Sequence, residues 1–110
     1  MLKRVLAQDG VVAVVRFRDN GTVEEGVGEL TPEIMNRFAQ FGVRYTHMMQ
    51  GNADQLAMFT PQPGWTPIQG WFVRSQWFTV CSVGNVVCLM QNDAGNFSEV
   101  FRELTEVAHL

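Results

Sequence analysis

Apolar residues at Leu2, Val5 and Leu6 recur at helical spacing ahead of Gly10, which predicts a short first helix stopped by glycine. A β-branched run from Val11 to Val15 follows, then Asn20-Gly21 and a second extended segment. Asn-Gly between two such segments is a strong hairpin signal, because both residues tolerate positive φ. A two-residue loop at Asn20-Gly21 would set Arg18 against Val23 and Arg16 against Glu25, a cross-strand ion pair of modest value. The second strand, with Glu24, Gly26 and Gly28, reads as a sheet edge.

The stretch LTPE opens a long helix: Thr31 can cap it, Pro32 suits its first position, and Glu33 lies where the helix dipole favours an acid. Ile34, Phe38, Phe41, Tyr45 and Met48 then make one apolar stripe, continued by Leu56 and Phe59. Beside it runs a stripe of small residues, Ala39, Gly42, Thr46 and Ala53, that would let another element approach closely. The helix is predicted to end near Ala57, with a fray or kink at Gly51-Asn52. Prolines 61, 63 and 67 make the next segment an extended loop.

From Trp71 the pattern gives three strands, with turns expected at Ser75-Gln76 and Gly84-Asn85. A last helix is capped by Asn96, with Glu99 three residues on, and its face is Phe97, Val100, Phe101, Leu104 and Ala108. Counting out from the turns, one sheet face gathers Trp71, Val73, Phe78, Val80, Val87 and Leu89. The other gathers Phe72, Thr79, Cys81, Val83, Val86, Cys88 and Met90. Both faces are apolar, so helices must cover both, which implies three layers in an α/β fold. The long helix is expected on one side and the two terminal helices on the other. Its apolar surplus, including Met35, Met49, Met58 and Phe59, points to an isologous dimer that sets the stripe and a sheet edge against their copies.

At 110 residues the chain is one domain, residues 1–110, with no room for a second core. Its net charge of −3 is dispersed, and the basic residues form only the small groups Lys3-Arg4 and Arg16/Arg18, which argues against nucleic acid as a partner. No segment reads as a signal peptide or a membrane span. Two cysteines without a leader suit a reducing compartment, and a cytoplasmic location is expected.

The order of elements, with LAQDGVVAVVRFRDNG, LTPE, GWTPIQGWFV and VCSVGNVVCLMQNDAGNFSEVFREL, resembles the roadblock/dynein light-chain domain over essentially the whole chain. It is most similar to the short single-domain prokaryotic branch, some relatives of which occur in sulfur-oxidising bacteria. The resemblance implies a roadblock-like (profilin-like) three-layer α/β/α domain with a central five-stranded antiparallel sheet, in the order α-β-β-α-β-β-β-α. It also implies a homodimer in which the strand at Trp71 pairs with its mate and the long helices lie side by side. Ile34, Phe38, Phe41, Tyr45, Met48, Trp71 and Val73 are then the candidate dimer interface. Characterised members act as non-catalytic scaffolds or regulators, often of small GTPases or motor complexes, so a protein partner, no cofactor and no catalytic residue are expected.

The candidate chemistry is CSVGNVVC. Counting from Gly84-Asn85 sets Cys81 against Cys88 at a hydrogen-bonded pair, where side chains diverge and a disulfide would be strained. Two small apolar thiols beneath a terminal helix is the reading favoured over a reversible thiol function. A small-molecule or thiol-responsive sensor, using a pocket between the sheet and the long helix with Cys81 and Cys88 as reactive groups, is the alternative function. An accessory protein of bacterial sulfur metabolism is compatible with either. His47 and His109 have no ligand spacing that makes a metal site. Glu24, Glu25, Glu99, Glu103 and Glu106 read as solvated surface. Trp65, Trp71 and Trp77 read as packing residues first and partner contacts second.

Overall fold

A computed structural model of the chain describes residues 1–59 and 68–109. The elements are α1 (Leu2–Leu6), β1 (Val11–Phe17), β2 (Val23–Gly28), α2 (Pro32–Gly51), α3 (Ala53–Ala57), β3 (Gly70–Arg74), β4 (Phe78–Val83), β5 (Val86–Gln91) and α4 (Phe97–Ala108). The expected loop through prolines 61, 63 and 67, with Trp65, lies outside the described residues. The strands form one antiparallel sheet in the order β2-β1-β5-β4-β3, so β2 and β3 are its edges.

Helix starts follow the sequence signals. Thr31 Oγ1 accepts from the Ile34 amide at 3.2 Å, and Asn96 Oδ1 accepts from the Glu99 amide at 3.2 Å. The long helix does not run through to Ala57. Asn52, at φ −97° and ψ 5°, breaks it and starts the separate α3, since Gly51 and Asn52 both hold helix poorly.

The three layers are as expected. On one face Leu2 and Val5 of α1, and Val100, Leu104 and Val107 of α4, are buried with Val14, Cys81, Val83, Val86, Cys88 and Met90. On the other, α2 covers Val15, Phe17, Trp71 and Val87. Arg4 binds Glu103 at 3.0 Å and Glu106 at 2.7 Å, linking α1 to α4.

Turn chemistry decides the registers. At Gly84-Asn85 the two-residue turn forms as counted, with Val83 opposite Val86 and Cys81 opposite Cys88. Gly84 alone takes positive φ, +58°, the pattern of a hairpin turn with glycine first. The first hairpin differs from expectation. Gly21 takes φ +86° and its amide bonds Arg18 O at 2.8 Å, while the Arg18 amide bonds Thr22 O at 2.9 Å, so the loop is Asp19-Asn20-Gly21. Asn20 Oδ1 accepts from the Thr22 amide and hydroxyl, which stabilises this longer form. The extra residue is absorbed by a bulge. Arg16 still opposes Glu25, but Phe17, not Arg18, opposes Val23, and the ion pair forms between Arg16 and Glu24 at 3.7 Å.

The β3–β4 turn is also one residue later than expected, at Gln76-Trp77. Ser75 Oγ accepts from the Phe78 amide at 3.2 Å, Asn92 Nδ2 donates to Ser75 O at 2.7 Å, and the Asn92 amide donates to Trp77 O at 2.9 Å. Val73 therefore opposes Val80 instead of Phe78. Moving the turn centre by one residue shifts the partner by two, which leaves every side chain on its expected face.

The row of α2 seated on the sheet is the small one. Ala39 and Gly42 are buried, with Met35 and Met49 packed beside them, so those two methionines are core and not surplus. A Cβ at Gly42 would lie 2.8 Å from Phe17 Cε1. Gly42→Leu is expected to push α2 off β1 and destabilise the domain by about 2 kcal/mol or more, read from the urea midpoint.

Candidate functional site

Because the small row faces the sheet, the large apolar stripe, one position round the helix, lies on the flank of α2, with Phe38 and Tyr45 still packed on the core beneath. Ile34 is 41% exposed, Phe41 38% and Met48 47%, while Phe38 and Tyr45 are half-buried. The stripe meets the edge strand through an aromatic cluster. Phe41 stacks on Tyr45 at 5.0 Å between ring centroids, and Trp71 of β3 lies 4.8 Å from Tyr45 and edge-on to Phe41 at 5.9 Å. Trp71 is buried, and its Nε1 donates to Thr46 Oγ1 at 3.0 Å, which fixes the ring against the helix. Val73, two residues on along the same face, is 39% exposed. Of the seven residues expected at the interface, Phe41, Tyr45 and Trp71 are in ring contact, with Trp71 buried, while Ile34, Phe38 and Met48 lie along α2 and Val73 on β3.

Two features of this surface were not read from the sequence. The Gln50 carboxamide spans the Ile68 backbone, its Nε2 donating to Ile68 O at 3.2 Å and its Oε1 accepting from the Ile68 amide at 3.1 Å. This clamps the approach to β3 onto the end of α2. Between them lies a cleft of about 110 Å³ lined by Thr46, Gln50, Ile68, Trp71, Ser82 and Gly84.

Cys81 and Cys88 are both fully buried and unbridged, in the core cluster with Val100 and Leu104 of α4. They occupy the sheet face opposite the cleft beside α2, so the sheet separates the thiols from the pocket that the sensor alternative would join to them. A hydrogen bond to Cys81, and then burial, push the Cys88 thiol far above its ordinary range. Cys88 therefore holds its proton in the fold at pH values where the unfolded chain releases it, above about pH 8.5. Stability from this group is complete below that pH and falls as pH rises. The denaturation midpoint is expected to decline above about pH 8.5, and Cys88→Ala to reduce that slope.

His47 is exposed at a cleft of about 150 Å³ with Phe17, Asp19, Val43 and Asn85. His109 is the C-cap of α4. Glu103 and Glu106 are held by Arg4, and Glu24 by Arg16, so these carboxylates are structural partners as well as surface. Trp77 lies in the β3–β4 turn and is 62% exposed. Among the described residues, no three His, Cys, Asp or Glu side chains converge as metal ligands, and no helix is long and apolar enough to cross a membrane.

A five-stranded antiparallel sheet in this order, one long helix on one face and the terminal helices on the other, is the roadblock fold. The chain is similar to a roadblock/LC7 domain from Streptomyces avermitilis, with TM-score 0.82 and 11% identity over 99% of this chain and 88% of that one. It is also similar to an MglB with a tetrameric arrangement, with TM-score 0.75 and 14% identity over 97% of this chain and 81% of that one. MglB of Myxococcus xanthus gives TM-score 0.66 and 11% identity over 90% and 81%. At such identities the likeness concerns the fold alone. By sequence, the chain belongs to the family described as "uncharacterized conserved protein (DUF2173)", whose model matches residues 1–106. No curated protein matches it.

Proposed function

We propose that this chain is a non-enzymatic, homodimeric interaction or regulatory module, a scaffold or regulator of a partner protein. Small GTPases are the partner class that the roadblock resemblance implies. On this reading the protein works in the cytoplasm without a cofactor and binds neither nucleic acid nor membrane. The observation that carries the reading is the partial exposure of Ile34, Phe41 and Met48 on α2 and Val73 on β3, an edge strand whose outer side pairs with no strand among the described residues.

A large apolar patch and an open strand edge are each costly to leave in water, and the edge is also an aggregation hazard. One arrangement closes both. Two copies related by a two-fold axis set β3 against β3 and lay the α2 stripes side by side, as an isologous interface requires. The tetrameric arrangement of one MglB neighbour is in keeping with self-assembly on this fold.

The seam is tested by single cysteine substitutions from Gln69 to Arg74 on a Cys81→Ala, Cys88→Ala background. Mild oxidation is expected to give linked dimers at the positions nearest the two-fold axis, where the two Cα atoms come within disulfide reach. Failure to cross-link at every position contradicts a β3 seam.

A further inference from the structure

The backbone of β3 restricts how a second copy can pair with it. The Ser75 amide donates to Phe78 O at 2.8 Å, and the Gly84 amide donates to Gln69 O at 3.3 Å. Hydrogen-bonded and non-hydrogen-bonded pairs alternate along an antiparallel ladder, so the groups that face β4 are those of Gln69, Trp71, Val73 and Ser75. The amides and carbonyls of Gly70, Phe72 and Arg74 therefore point outward, along the edge where no strand pairs among the described residues. This row is closed at both ends. Ile68, the next position before Gly70, has its amide and carbonyl held by the Gln50 side chain, and Gln76, the next after Arg74, lies in the β3–β4 turn.

A two-fold axis matches each residue of one strand with a residue of its copy about a single central position, and only outward-facing residues can exchange hydrogen bonds there. With Phe72 at the centre, Phe72 pairs with itself and Gly70 with Arg74 of the mate, which gives about six hydrogen bonds. Any other centre leaves outward groups unmatched and gives about four or fewer. Amides and carbonyls covered without a partner are costly, so the complete ladder is favoured. The side chains agree with it. Phe72, 56% exposed in the single chain, meets its own copy at the axis, and Val73, 39% exposed, falls opposite Trp71 of the mate on the side of α2.

We propose that two copies of the chain pair through β3 in one register, with the two-fold axis at Phe72, Trp71 opposite Val73 of the mate, and Gly70 opposite Arg74. The proposal rests on the β3 seam proposed above and deepens it by fixing which residues meet. Gln50 and the β3–β4 turn are the stops that confine the mate to this register.

The test mixes two variants, Trp71→Cys and Val73→Cys, each on the Cys81→Ala, Cys88→Ala background. Both positions are non-hydrogen-bonded in the seam, where Cα atoms directly opposite stand about 4.5 Å apart, within disulfide reach. In the Phe72 register each faces the other, and its own copy lies two residues along, about 8 Å away and out of reach. Mild oxidation of an equal mixture is therefore expected to link unlike chains, at a yield about tenfold or more above that of either variant alone. Linkage within Trp71→Cys alone or Val73→Cys alone moves the axis to that residue, which overturns the register and keeps the seam. No linkage in any sample overturns the register, and the wider scan from Gln69 to Arg74 then decides whether the seam falls with it. Trp71 is buried, so the same question is also put to the unmodified chain. In a dimer mixed from isotope-labelled and unlabelled chains, an intermolecular nuclear Overhauser effect between the Trp71 indole and the Val73 methyls is expected. Intermolecular contacts of Trp71 with Trp71, or of Val73 with Val73, in its place overturn the proposal.

Discussion

Phe41→Glu is expected to split the proposed dimer without unfolding the chain. Phe41 stands where the α2 stripe meets β3, stacked on Tyr45 and edge-on to Trp71, and it is partly exposed in the single chain. Aromatic residues at the centre of an interface commonly contribute about 2 kcal/mol or more each, and a two-fold axis places each substitution in the contact twice. A combined loss of about 4 kcal/mol raises the dimer dissociation constant roughly a thousandfold. The fold of the single chain should survive, because the α2 residues buried on the sheet are Ala39 and Gly42. Sedimentation velocity reads the change in mass, and far-UV circular dichroism reads the fold. A variant that stays dimeric places the interface elsewhere.

Leu104→Ala is expected to have the opposite profile, a large loss of stability caused by changes inside one chain. Leu104 is fully buried in the cluster that joins α1, α4 and the sheet, and truncating it leaves a cavity that rigid neighbours cannot fill. The expected cost is about 3 kcal/mol. In a domain of this size that lowers the melting temperature by roughly 10–20 °C. Leu6, only partly buried against the same cluster, supplies the control, and Leu6→Ala should cost clearly less. Equal losses at both positions would mean that the core is not centred where the burial pattern puts it.

What the sequence disclosed depended on whether the deciding interaction was local. The Gly84-Asn85 turn is set by its own two residues and their φ angles, so counting outward recovered the β4–β5 register and the pairing of Cys81 with Cys88. The caps at Thr31 and Asn96 were legible for the same reason. The first hairpin was misjudged because Asn20 bonds Thr22 and favours a three-residue loop, a choice between two turns that the Asn-Gly pair alone does not make. The β3–β4 turn was misplaced because Asn92, on the far side of β5, holds Ser75 and Trp77 in place. No pattern within β3 or β4 carries that information.

Spacing along the chain names the residues of the proposed interface but not their arrangement. The large stripe of α2 could be read from its spacing, but which stripe faces the sheet follows from the close approach of Phe17 to Gly42. Phe97 and Phe101 count as core on a helical wheel, yet the edge position of β3 leaves them half-buried. The thiol pair was located correctly, and its burial under α4 agrees with its reading as packing.

The central claim is self-association through α2 and β3, and the most direct measurement is the mass of the unmodified chain by light scattering at micromolar concentration. A mass near twice the 12.4 kDa of one chain, falling towards 12.4 kDa in Phe41→Glu, is the predicted result. A mass of 12.4 kDa for the unmodified chain would contradict it.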